Sequence, residues 1–148
     1  MTKTHERMKF ADFTRTFHNL WGGTKIGMDT HALRRGCQRF YPLLSYELLA
    51  ENIRSIFLSG GAELEELAMG VELGGMFTIY DESSHMAILA SIDFDQTVGV
   101  NEVFVNTIYV RRFQEPIYCE HETKLRCKIG ADGSVTENPP ELVLKPPR

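Results

Sequence analysis

Cysteine is scarce. The 148-residue chain holds three, Cys37, Cys119 and Cys127, an odd number with no Cys-x2-Cys pair, which excludes a disulfide framework and the usual zinc-ribbon spacings. A reducing, cytoplasmic setting is the expectation. Cys119, His121 and Cys127 alternate onto one face if this stretch is a single strand. The two cysteines would then lie about 26 Å apart, too far to share an ion, so no metal is expected. Long apolar runs are also missing: nothing approaches the roughly 18 residues that span a bilayer, and no membrane association is expected. The charged start, Lys3, His5, Glu6 and Arg7, is followed by no apolar stretch, so no secretory signal is expected. Gly-x-Gly-x-x-Gly, Walker, Gly-x-Ser-x-Gly and His-Glu-x-x-His motifs are absent. With them go the sequence grounds for a dinucleotide, nucleotide-triphosphate, serine-hydrolase or zinc-protease site, and no cofactor is expected. Adjacent carboxylates (Glu65 and Glu66, Asp93 and Asp95) fit solvated acidic runs better than an acid–base pair.

Basic residues are missing from the middle of the chain. Residues 41–100 contain one, Arg54, against ten acidic side chains. Residues 1–40 hold eight basic and three acidic side chains, and residues 101–148 hold seven of each, for an overall charge of −4. A basic segment before an acidic one fits a local anion site or an internal charge match, and simple solvation of both is the bland alternative.

What is present reads as one α+β domain over residues 1–137 with a proline-rich tail, residues 138–148, that holds four of the six prolines. Phe10, Phe13, Phe17 and Leu20 recur at helical spacing and predict an amphipathic helix over 6–20, stopped by Gly22-Gly23. Its phenylalanines and Trp21 fit core packing or a homodimer or partner contact. A second helix is predicted from Asp29 or Thr30 to Tyr41-Pro42, and a third from Ser45 to Gly60-Gly61 with Leu49, Ile53, Ile56 and Phe57 inward. Ala62 to Met69 adds an acidic turn or two with Leu64 and Leu67 inward. Strands follow at 76–80 and 86–92 as a hairpin, at 103–110, at 118–129 and at 134–136. The expected architecture is therefore N-terminal helices packed on a mainly antiparallel sheet of four to five strands.

The chemistry-bearing pattern is His31-x3-Arg35-x3-Arg39. Each step of four residues turns a helix by about 40°, so the imidazole and the two guanidiniums share one face. That combination suits a phosphate: histidine moves a proton near neutral pH and arginine forks grip phosphate oxygens. Metal-free RNA cleavage needs such a set, an acid or base on the 2′- and 5′-oxygens and cations for the phosphorane. The structural alternative is that the arginines pair with Glu47, Glu51 or the Glu63, Glu65, Glu66 cluster and the histidine is a structural hydrogen-bonding group.

The run His31-x3-Arg35-x3-Arg39, the helix from Ser45 to Gly60 and the strand Val105-Asn106-Thr107-Ile108-Tyr109-Val110 together resemble a group of small, mostly uncharacterised domains over residues 24–111. That group is placed with the barnase, EndoU, colicin and RelE-like ribonucleases, which include toxins of toxin–antitoxin and contact-inhibition systems. In the strand, Asn106 stands where an apolar residue is usual. The resemblance implies a cytoplasmic, metal-independent endoribonuclease toxin of mobile-element type, forming a 2′,3′-cyclic phosphate, or an RNA-phosphate-binding protein. His31 would be its acid or base, Arg35 and Arg39 its phosphate clamp, and Thr107 and Tyr109 hydrogen-bond donors. RNA and an antitoxin would be its partners. The alternative is a non-catalytic phage or plasmid accessory protein that binds a host protein through its acidic surface.

Overall fold

A computed structural model of the chain describes residues 25–28, 38, 46–71, 74–96, 99–111, 114–120 and 123–146. The elements are β1 (Lys25–Met28), α1 (Tyr46–Met69), β2 (Met76–Asp81), β3 (Met86–Asp95), β4 (Val100–Val110), β5 (Ile117–Cys119), β6 (Thr123–Ile129), β7 (Val135–Glu137) and β8 (Leu142–Leu144). The predicted helices over 6–20 and 29–41 lie outside the described residues.

The expectation from Ser45 onward holds, and its reason is spacing. Leu49, Ile53, Ile56, Phe57, Leu64 and Ala68 recur at helical intervals and are all buried. The glycine pair interrupts the helix rather than ending it. Gly61 sits at φ 62°, ψ −153°, so α1 is two helical segments joined at a kink. α1 lies on a sheet whose inner face supplies Phe77 and Ile79, Ile88, Ala90 and Ile92, Val103, Val105 and Ile108, and Leu125, Cys127 and Ile129. Each fully buried aliphatic or phenyl side chain contributes about 1.5–3 kcal/mol of transfer free energy.

The sheet corrects the expected number of strands, four to five, and shows the mainly antiparallel pairing in part, with three antiparallel pairings and two parallel. It has six, in the order β1-β4-β3-β2-β6-β7. β4–β3–β2 is an antiparallel meander, but β1 adds parallel to β4 and β6 parallel to β2. β1, β4, β2 and β6 thus run one way and β3 and β7 the other. The physical reason is the crossover: β1 and β2, separated by a segment that includes α1, are set parallel with the β3–β4 hairpin between them, which no local turn signal encodes.

The single strand expected over 118–129 is also corrected. β5 and β6 belong to different sheets, and β5 pairs parallel with β8 of the proline-rich tail. The tail is thereby part of the fold: Leu142 is 2% exposed and packs with Tyr80, Ala87 and Cys119 on the sheet face opposite α1. Lys145 N donates to Cys119 O at 2.7 Å and Ile117 N to Glu141 O at 2.8 Å. Cys119 and Cys127 consequently sit in separate clusters on opposite faces of the large sheet.

Candidate phosphate site on the outer face of β4

Strand β4 carries the two described members of the sequence-predicted site. Val103, Val105 and Ile108 all point into the α1-facing core, which a strict two-residue period cannot do. The ladder with β3 explains it: Leu89 opposes Thr107 and Ala90 opposes Val105, so Asn106 is an extra residue at a β-bulge. Asn106 Nδ2 donates to Ser91 Oγ at 3.3 Å, which is why a polar residue stands there. The bulge resets the alternation, so Thr107 and Tyr109 face away from α1. Tyr109 is 36% exposed and lies beside Thr78, Leu89 and the β5 residues Ile117, Tyr118 and Cys119.

His31, Arg35 and Arg39 lie outside the described residues. β1, however, ends at Met28, three residues before His31 in the sequence, and Met28 is paired with Val105, two residues before Thr107. The parallel β1–β4 pairing brings the strand that leads into the His/Arg motif alongside the bulge that aims Thr107.

The same outer face gathers groups that the sequence reading did not single out. Tyr80 opposes Ala87, and Ala87 opposes Tyr109, so the two tyrosines flank one alanine across three strands. Arg111 continues the Thr107, Tyr109 alternation just past the end of β4, and its N donates to His85 O at 2.8 Å. The Arg111 guanidinium lies 5.7 Å from the Tyr80 ring centre, within cation–π range. Its Nε donates to Glu115 O at 2.9 Å. His85 takes a left-handed backbone, φ 60°, in the β2–β3 turn, where its Nδ1 shares a 3.2 Å hydrogen bond with the Tyr80 hydroxyl. Asp81 shapes that turn by accepting from Ser84 N at 3.1 Å and Ser84 Oγ at 2.7 Å.

Next to this cluster Lys128 Nζ donates to Glu141 at 3.0 Å. The Glu141 hydrogen bond, helped by its charge, raises the Lys128 ammonium above its ordinary value against the opposing effect of burial. Burial works against ionisation of Glu141, but hydrogen bonds from Lys128 and from its own backbone, with positive charge on Lys128 and Arg111, outweigh it and hold the carboxyl below the usual range. Tyr80 is buried and Lys128 is paired with Glu141, so the exposed His85 imidazole and the half-buried Arg111 guanidinium are the groups of this cluster that can meet an anion. Arg111 was legible in principle, as the next position of the Thr107, Tyr109 alternation. His85 and Tyr80 were not, because only the β2–β3–β4 register brings them beside Arg111.

Two clefts lie away from this face. One, of about 370 Å³, runs between the α1 residues Asn52, Ser55 and Ser59 and the turns that follow β2 and β6. The other, of about 730 Å³, lies between the second segment of α1 and the β6–β7 hairpin. Among the described residues no three His, Cys, Asp or Glu side chains are grouped to hold a metal, and no helix is long and apolar enough to cross a membrane. No protein-family model, curated protein or solved structure matches the chain.

Proposed function

We propose that this chain is a metal-independent endoribonuclease of toxin type that acts on cytoplasmic RNA. His31 moves the proton, Arg35 and Arg39 grip the phosphate, and Thr107 and Tyr109 donate to it. The 2′-oxygen attacks the adjacent phosphorus and loses its proton to a base. The bond from phosphorus to the 5′-oxygen breaks, and that oxygen takes up a proton. The products are a 2′,3′-cyclic phosphate and a 5′-hydroxyl. His31 serves one of the two proton transfers, and the exposed imidazole of His85 on the outer face is the described group available for the other.

One observation carries this reading. β1, the strand that precedes His31, is paired with β4 next to the bulge that turns Thr107 and Tyr109 outward. The order of the described elements also supports it: an extended segment, a helix broken at Gly61, a hairpin and a late strand holding Thr107 and Tyr109. Arg111 adds a cation to the same face.

The test is cleavage of several labelled RNAs in EDTA by the wild type, His31→Ala and Arg111→Ala, with the product ends identified by mass. A positioned acid or base contributes about 10²–10⁴-fold, so His31→Ala should lose that much rate at unchanged melting temperature. Arg111→Ala should weaken RNA binding and flatten its salt dependence. Absence of cleavage by the wild type on every RNA would sink the enzyme, and binding that His31→Ala and Arg111→Ala leave intact would sink the phosphate site.

A further inference from the structure

We propose that the groove between the second segment of α1 and the β6–β7 hairpin docks a basic, amphipathic segment of a partner protein. This goes beyond the nuclease reading and does not depend on it. The groove is lined by Glu63, Glu66, Leu67, Val71, Leu125 and Glu137 and by one cation, Lys124, so three carboxylates against one ammonium leave its lining net negative. Its floor is apolar: Leu67 and Val71 are partly buried against the main core, and Leu125 belongs to it. Its rim is acidic, with exposed carboxylates from both sides, Glu63 and Glu66 on the helix and Glu137 on β7.

The placement of the rim charges is unfavourable in the isolated chain. Glu63 and Glu66 are three residues apart on one helix face, where like charges repel. They lie in the last two turns of α1, whose final turn holds no basic residue, so they add negative charge to the negative end of the helix dipole. Among the described residues none of the three carboxylates is ion-paired; the pairs present are Arg54–Glu51, Lys128–Glu141 and Lys145–Glu120. A cationic occupant removes both repulsions at once. The apolar floor requires that the occupant also carry hydrophobic side chains, and an RNA is excluded by the sign of the rim. A volume of about 730 Å³ accepts several side chains. Among the described residues β7 is the terminal strand of the large sheet, so a segment lying in the groove runs beside a sheet edge.

The test is fluorescence anisotropy of the full chain with a labelled peptide that has leucines on one helical face and lysines and arginines on the other. Two controls are used, a peptide of equal charge with the leucines replaced by glycine and serine, and spermidine as competitor. Glu66→Lys is compared with Asp93→Lys, an exposed position on β3 with the same change of charge. Glu66→Lys should weaken the amphipathic peptide at least tenfold and Asp93→Lys less than twofold. Because it relieves the helix end, Glu66→Lys should also raise the melting temperature by about 1–3 °C. Equal weakening by both variants, equal binding of the leucine-free peptide, or complete displacement by spermidine would reduce the effect to bulk charge and overturn the proposal. A dimer by sedimentation that Glu66→Lys converts to monomer would assign the groove to a second copy instead, and would overturn it as well.

Discussion

Replacing Gly61 by alanine tests the kink in α1 by the sign of its effect. An ordinary solvent-facing helix glycine becomes more stable by about 0.5–1 kcal/mol when changed to alanine, because the unfolded chain loses freedom. Gly61 is not in helical geometry: at φ 62°, ψ −153° an L-residue is strained by about 1–3 kcal/mol. A Cβ there meets nothing within 4 Å, so neither a clash nor new packing contributes and the whole effect is backbone strain. For a chain of this length a change of 1 kcal/mol shifts melting by about 2–4 °C, so Gly61→Ala should melt roughly 2–12 °C lower. Thermal and urea unfolding followed by far-ultraviolet circular dichroism measures this. A D-alanine placed at 61 by ligation takes the same backbone without strain and should melt no lower than the wild type. Gly60→Ala should also destabilise, for a different reason: its Cβ would clash with Cδ2 and fall 2.6 Å from Cβ of fully buried Leu64, an overpacking of about 1–3 kcal/mol. If Gly61→Ala instead melts higher than the wild type, α1 runs unbroken through that position and the placement of its acidic segment is wrong.

Three further outcomes follow from the layers around the large sheet. Burial pushes the Cys127 thiol up to about 12, helped by the charge of Glu137. The folded thiol stays protonated while the unfolded one ionises, so stability should fall as pH rises from about 9 toward 12, and alkylation of Cys127 should proceed at the unfolding rate. The Glu141 carboxyl is held low chiefly by Lys128 against the effect of its own burial. Its stabilisation is therefore full above the ordinary carboxylate range and lost as pH falls through the depressed value, and Glu141→Gln should show a shallower acid limb in urea titrations from pH 6 to pH 3 while losing stability at pH 7. Leu142→Ala should cost about 2–5 kcal/mol and speed alkylation of Cys119 over its wild-type rate, because Leu142 of the tail packs over Cys119 and Tyr80; an unchanged melting temperature would show the tail to be dispensable.

How much of this was legible in the sequence depended on the range of the interactions. The inner stripe of α1, the glycine interruption at 60–61 and the β2–β3 hairpin are set by contacts within a few residues: helical recurrence of Leu49, Ile53, Ile56 and Phe57, a backbone only glycine tolerates, and the Asp81–Ser84 turn. The outward direction of Thr107 and Tyr109 was legible as alternation, but its phase was not, since Asn106 is an inserted residue whose place shows only against Leu89 and Ala90 of the neighbouring strand. The alternation over 118–129 was real in the letters and misleading in space. Its two ends pair with partners far apart in the chain, β8 and β2, and the break between them costs nothing a local pattern could register.

Among the described residues the sequence by itself determined the inner stripe of α1 and the β2–β3 hairpin, because side-chain periodicity and backbone preference act locally. Tertiary structure alone decided that β1 joins β4 and β6 joins β2 in parallel, that Tyr80, His85 and Arg111 meet on one face, that Cys119 and Cys127 part company across the sheet, and that acids of α1 and β7 rim one groove. Parallel pairing and crossovers join residues tens of positions apart. Their geometry is settled by how the layers close over a common core, and no single stretch of the chain carries that information.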